Sequence, residues 1–231
     1  MGFSMPTSGA AMQQGLLVRT GAERATLVRR TYSLVLASVV ITIGAVAFAM
    51  SQPAMMQAVQ LHPWITLACV FIPLILAQRS RATFPQNIGF VFLFTFAEGL
   101  WLAPFIALAE RLNPGIASQA GLLTFTAFSA LTAYAFISRR DFSAWGSFLV
   151  VGMVVLLVTM LFNMFFQSAA GATWIAAVGV LIFSGLLVFD TWRIRNVYGP
   201  DDYVLAAVSI YLDLLNMFLF IISLLGGGRR N

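Results

Sequence analysis

Seven apolar runs, each near the length that crosses a lipid bilayer, limit what this chain can fold into. They occupy residues 31–50, 63–78, 86–109, 115–138, 145–167, 173–192 and 202–225. A helix needs about 20 mainly apolar residues to span the hydrocarbon core. Charged residues make up only 9% of the sequence, against roughly a quarter in soluble domains, and they fall in short clusters between the runs. With 60% of its residues apolar, a soluble fold would have too little polar surface to offer water. The expected fold is therefore all-α, a polytopic membrane protein built as a seven-transmembrane-helix bundle. Short connections leave no room for a second domain. Residues 1–30 read as a mobile cytoplasmic tail, 31–226 as the transmembrane domain and 227–231 as a C-terminal tail. Ala47-Phe48-Ala49 resembles a signal-peptide cleavage site. The apolar stretch before it is longer than the usual ~7–15 residues, which favours a retained first helix.

The net charge of +5 is a topology signal rather than a nucleic-acid footprint. Arg19, Arg24, Arg29 and Arg30 precede the first run, and Arg79 and Arg81 follow the second. Arg139 and Arg140 follow the fourth run, Arg193 and Arg195 the sixth. The intervening loops (51–62, 110–114 and 168–172) hold Arg111 alone. Basic loops stay in the cytoplasm, so the N-terminus is expected there. Seven crossings would place the C-terminus outside, yet Arg229 and Arg230 sit there: either the bundle overrides two terminal charges, which is the favoured reading, or the last segment does not fully cross. An all-Arg basic complement, short loops and no organelle address point to a bacterial plasma membrane.

Missing residues exclude several functions. Without lysine there is no Schiff base for retinal. One cysteine (Cys69) and one histidine (His62) cannot supply the three or four protein ligands of a zinc site. His62 precedes Pro63 outside the apolar runs, away from any intramembrane serine dyad. No nucleophile–base arrangement is visible, so the chain reads as a non-enzyme with no resident cofactor.

What remains is acid inside the membrane. A charged group at the centre of a spanning helix costs ~2.5–3.5 kcal/mol on insertion scales, and Glu98, Asp190 and Asp213 all lie within runs. In the last run Asp202, Ser209, Asp213, Asn216 and Ser223 recur near one stripe, so this helix should be well enclosed by its neighbours. An interhelical hydrogen-bonding seam would also account for the stripe. Asp190 has Arg193 one turn on as a local partner. Tyr198-Gly199-Pro200-Asp201-Asp202 reads as a tight turn between antiparallel helices, which brings Asp190 and Asp213 to similar depth, within about one helical turn. Two close carboxylates in a low-dielectric site cannot both ionise cheaply and share a proton. Fully ionised, they offer oxygen ligands suited to Ca²⁺. Arg79 and Arg81 could stabilise the ionised acid, or serve only as positive-inside anchors. Glu98 shares a face with Thr95, and Thr159, Asn163 and Gln167 form a further stripe in the fifth run. A polar interior lined by the third, fifth, sixth and seventh runs would gather them; helix–helix hydrogen bonding explains Asn163 equally well.

Val188-Phe189-Asp190-Thr191 and, later, Ser209-Ile210-Tyr211-Leu212-Asp213-Leu214-Leu215-Asn216-Met217-Phe218 resemble the Bax inhibitor-1 family of transmembrane Bax inhibitor motif proteins. Arg139 to Ser143 with Gly146 to Leu149, and Gly89-Phe90 through Glu98-Gly99-Leu100, are similar to its supporting patterns. The likeness covers roughly residues 20–226. It implies a seven-helix bundle with the last helix central and a pH-sensitive calcium leak. In this resemblance Asp190 and Asp213 take the pH-sensor positions. An arginine after the second helix closes the path by pairing with the helix 6 acid; Arg81 fits that place first and Arg79 second. One departure is the lack of an acid in residues 63–78; Glu98 is an extra one. The family also includes cell-death suppressors and partners of membrane proteases. Two expectations follow: a proton-gated Ca²⁺ pathway, or a non-conducting regulator that binds other membrane proteins.

Overall fold

A computed structural model describes residues 21–80 and 83–227. Eight helices make up the described chain: α1 (Gly21–Ser51), α2 (Pro53–Leu61), α3 (Pro63–Arg79), α4 (Gln86–Leu112), α5 (Ile116–Ile137), α6 (Trp145–Phe166), α7 (Ala169–Asn196) and α8 (Tyr203–Gly227). Six of them (α1 and α4–α8) are long and apolar enough to cross a membrane. The seventh expected span is α3, with 17 residues, or about 25 Å of helix.

Two stretches expected to be irregular are helical. Residues 21–30, assigned to the tail, form the first turns of α1. Ala22, Glu23, Arg24 and Ala25 are good helix formers or compatible with a first turn, where Glu23 also opposes the positive end of the helix dipole. Leu27 is buried in the core and ties this extension down. The loop expected at 51–62 contains α2. Pro53 at its first turn fits helix initiation, and Pro63 keeps His62 out of helical geometry, at φ −122° and ψ 56°. The chain therefore breaks at His62, and α2 and α3 meet at 91°. Only Val59 of α2 is buried, so the short helix rests along the end of the bundle.

The last helix is central, as its polar stripe and the family resemblance implied. It packs against α1, α3, α4, α5 and α7, and buries Val204, Ile210, Tyr211, Met217, Phe220 and Ile222 among others. Small residues set the closest approaches. A Cβ at Gly99 of α4 would lie 2.6 Å from the Thr42 carbonyl oxygen and 2.7 Å from Ala45 Cβ on α1, so α1 and α4 touch backbone to backbone. Gly179 of α7 likewise receives the Phe220 ring of α8. At the other extreme, among the described residues α6 packs only against α7, and buries only Leu149 and Leu156. Its other apolar side chains, such as Phe148, Val151, Phe162 and Phe165, are exposed and suit a lipid environment.

Polar groups at the helix ends hold the loops. Glu110 accepts from the N–H groups of Gly115 and Ala117, each at 2.8 Å, satisfying donors at the start of α5. Arg195 of α7 donates to the Phe136 and Ser138 carbonyls at 2.8 Å, a cation at the negative end of α5. An arginine that reads as a topology anchor thus also closes a helix.

Candidate functional site

The turn expected between the last two helices is present and well bonded. The Val197 and Tyr198 N–H groups donate to the Arg193 carbonyl at 2.8 and 2.9 Å, and the Asp202 N–H to the Gly199 carbonyl at 3.1 Å. Gly199 N–H donates back to Asp202 Oδ2 at 2.8 Å. This reversal lays α7 against α8. Asp190 lies six residues before the end of α7 and Asp213 ten residues after the start of α8, about 9 and 15 Å along their helices. Both are buried, and the two carboxyls are neighbours.

Their surroundings differ. Asp190 Oδ1 accepts from Arg193 Nη1 at 3.0 Å. The Arg193 guanidinium lies 4.5 Å over the centre of the Tyr198 ring and 5.6 Å from that of Phe189, so it is held by charge and by two aromatic faces. Burial pushes the Tyr198 hydroxyl up to about 12, the Asp190 carboxylate adding in the same direction. The ring therefore stays neutral at ordinary pH. Asp213, by contrast, has Oδ2 fully enclosed with no hydrogen-bond partner among the described residues. Its charged neighbours are Asp190 and Arg193. Beside Asp190, Thr191 shares a 3.3 Å hydrogen bond with Tyr32 of α1.

A second polar group lies where α1, α4 and α8 meet. Thr42 Oγ1 is 2.9 Å from the Ser38 carbonyl, 3.1 Å from the Thr95 carbonyl and 2.7 Å from the Tyr211 hydroxyl. With the Thr42 proton directed to a carbonyl, Tyr211 is the donor to Thr42. Tyr211 is fully buried and meets Phe94 edge to face at 5.6 Å. Glu98 is the charged group nearest in influence to Tyr211 and is half-buried.

The other expected residues disperse. Ser209 is half-buried one turn from Asp213 towards Tyr198. Asn216, one turn the other way, donates to the Leu212 carbonyl at 2.8 Å and lines a cavity of about 490 Å³ with Trp101, Phe105 and Ser223. Asn163 does not join a shared interior. It sits in the last turn of α6, its Oδ1 against Gly171 at the start of α7, while Thr159 is exposed and bonds its own helix. The interior expected from four runs excludes α6, which among the described helices has only α7 for a neighbour. Arg79 is exposed at the end of α3, and Arg81 lies outside the described residues. Among the described residues no group of three or more His, Cys, Asp or Glu gathers.

This acid pair and its turn fall in the segment that carries the family pattern, and residues 24–231 match the family described as "Inhibitor of apoptosis-promoting Bax1". The chain belongs to the Bax inhibitor-1 family. It is similar to the fission yeast (Schizosaccharomyces pombe) protein named Bax inhibitor 1, 33% identical over 90% of this chain and 79% of the relative. A vaccinia virus protein named Golgi anti-apoptotic protein is 32% identical over 87% of this chain and 85% of its own length. An uncharacterized protein of Campylobacter jejuni is 31% identical over 88% and 89%.

Within this family member, sequence reasoning did not single out Arg193, Tyr211 and Thr42 as site residues. Arg193 was visible as an i,i+3 neighbour of Asp190. Tyr211 lies inside the quoted motif, two residues before Asp213, and its hydroxyl was the available signal. Thr42 gives no local signal, because a helical threonine satisfies itself on the carbonyl four residues back.

Proposed function

We propose that this protein is a pH-sensitive leak pathway for Ca²⁺, gated by protons at the Asp190–Asp213 pair. The observation that carries the reading is Asp213 Oδ2, enclosed beside a second carboxyl and with no other hydrogen-bond partner among the described residues. Such a group costs stability in hydrocarbon and marks function more often than packing. The arginine-rich end is the cytoplasmic one, in a bacterial plasma membrane, and the protein catalyses no reaction. A proton shared by the pair leaves Asp190 charged and paired with Arg193. Protonating Asp190 as well removes that ion pair, loosens Arg193 from the turn that joins α7 to α8, and lets α8 move. An arginine after α3, Arg81 first and Arg79 second, is the further latch the family resemblance supplies. Two carboxylates provide fewer oxygens than the six to eight that Ca²⁺ takes, which suits a passing cargo rather than a resident ion. The test is Ca²⁺ uptake into proteoliposomes at neutral pH. Asp190→Asn and Arg193→Gln should each leak more than the native chain, and Arg81→Ala should do the same if the latch is shared. Unchanged flux in all three removes the gate.

The printed names of relatives favour a second reading. Proteins called Bax inhibitor 1 and Golgi anti-apoptotic protein suggest a non-conducting regulator that acts by binding other membrane proteins. On that reading, deleting residues 1–20 abolishes partner capture while proteoliposomes stay tight with or without the segment. Flux that persists after the deletion returns the argument to the leak.

A further inference from the structure

A second cavity, of about 640 Å³, opens at the arginine-rich end between α1 and α4, with the start of α8 beneath it. Its mouth carries Arg29 and Arg30, both exposed, and neither forms an ion pair among the described residues. Arg30 is nonetheless positioned. Its guanidinium lies 5.7 Å over the Tyr203 ring, and the Tyr203 hydroxyl accepts from Asn87 Nδ2 at 3.1 Å. Below the arginines the walls turn apolar, with Leu34 from α1 and Ile88 and Phe92 from α4. From Arg30 to Ala37, the deepest lining residue of α1, is about 10 Å along the helix. The backbone contact at Gly99 lies deeper still and joins the two helices below the trough. Asp201 is exposed at the rim, so the charged lining sums to two arginines less one aspartate, a net +1.

The shape and charge call for a ligand with an anionic head and an apolar tail. Arg29 and Arg30 directly precede the apolar run of α1, which sets them at headgroup depth. The bilayer supplies such a molecule there at high local concentration. A free phosphate would use the arginines and leave the apolar walls empty. We propose that the trough binds an anionic phospholipid, its phosphate on Arg29 and Arg30 and one acyl chain along Leu34, Ile88 and Phe92. The site is separate from the acid pair and does not depend on whether the protein conducts Ca²⁺.

The full chain in neutral detergent, titrated with phosphatidylglycerol, phosphatidylcholine or inorganic phosphate and read by native mass spectrometry, tests this directly. Phosphatidylglycerol should be retained and phosphatidylcholine should not. Each of Arg29→Gln and Arg30→Gln should weaken retention about fivefold, while Arg30→Lys should keep most of it. Ala37→Trp should weaken it with both arginines in place, by filling the apolar end. Unfolding temperatures without lipid report whether each variant is folded. Equal retention of the two lipids, or the same phosphatidylglycerol affinity in every folded variant, overturns the proposal. So does displacement by inorganic phosphate at matching concentration, which would make this a free-anion site. Binding seen only after deletion of residues 1–20 would assign the trough to the chain's own N-terminal segment and overturn it as well.

Discussion

Asp190 and Asp213 lie side by side but meet their surroundings differently. One is neutralised by Arg193 at 3.0 Å; the other presents an enclosed oxygen with no donor among the described residues. Their proximity was legible in the sequence, because a turn at Gly199–Asp202 between two straight helices fixes depth by counting residues. The identity of the cation was less legible, since Arg79, Arg81 and Arg193 all fall in the basic clusters that follow alternate apolar runs in the sequence. Tyr211 and Thr42 were illegible for another reason. Their bond joins α1 to α8, 169 positions apart in sequence, and nothing local in either helix reports it. Tyr211→Phe tests whether this network is structural. Loss of one interhelical hydrogen bond should cost ~0.6–1.7 kcal/mol, read as a lower unfolding temperature in detergent. The pH profile of any flux should stay as in the native protein. A changed profile would place Tyr211 in the proton path.

Helix boundaries followed the apolar pattern closely where punctuation was clear and missed it where polar residues were helical. The third to seventh runs correspond to α4–α8, with ends that agree to within a few residues. Residues 21–30 and 53–61 went unread because helix propensity and one buried anchor, Leu27 or Val59, outweighed their polarity. The α6 stripe shows the opposite error. Thr159, Asn163 and Gln167 have helical spacing, but which way a helix faces is decided by what packs on it, and α6 has α7 alone. Between α1 and α4 the decisive residue is Gly99. Its added methyl group in Gly99→Ala meets backbone at Thr42, which cannot swing aside as a flexible side chain would. The two helices must separate, at a cost of about 1–3 kcal/mol. Unfolding temperature should fall accordingly, whereas the same change at Gly121, with open space around it, should have little effect. Equal tolerance at both glycines would mean that α1 and α4 are not held in this contact.

At the scale of the molecule, α8 is a central post with polar groups on different sides. Asp213 faces α7 and its acid, while Tyr211 reaches α1 and lies near Glu98 of α4. Asn216 and Ser223 line the cavity of about 490 Å³ away from the arginine-rich end. A shift of α8 would therefore change several polar contacts together, and on the proposed gate this is the route by which a proton at one carboxyl alters a path through the bundle. The composition and run lengths made the bundle plain, but the second apolar run was less so. It is a 17-residue helix turned through 91° from a short neighbour, and proline at 63 is the one sequence sign of that bend. Whether the acid pair gates the path is best tested by Ca²⁺ uptake into proteoliposomes from pH 6 to 8, native protein beside Asp190→Asn. Native flux should rise as the pH falls, and the Asp190→Asn profile should be high and flat, because the Asp190–Arg193 ion pair is absent at every pH. Folded native protein that carries no flux at any pH, or an Asp190→Asn profile that overlays the native one, would contradict the gate.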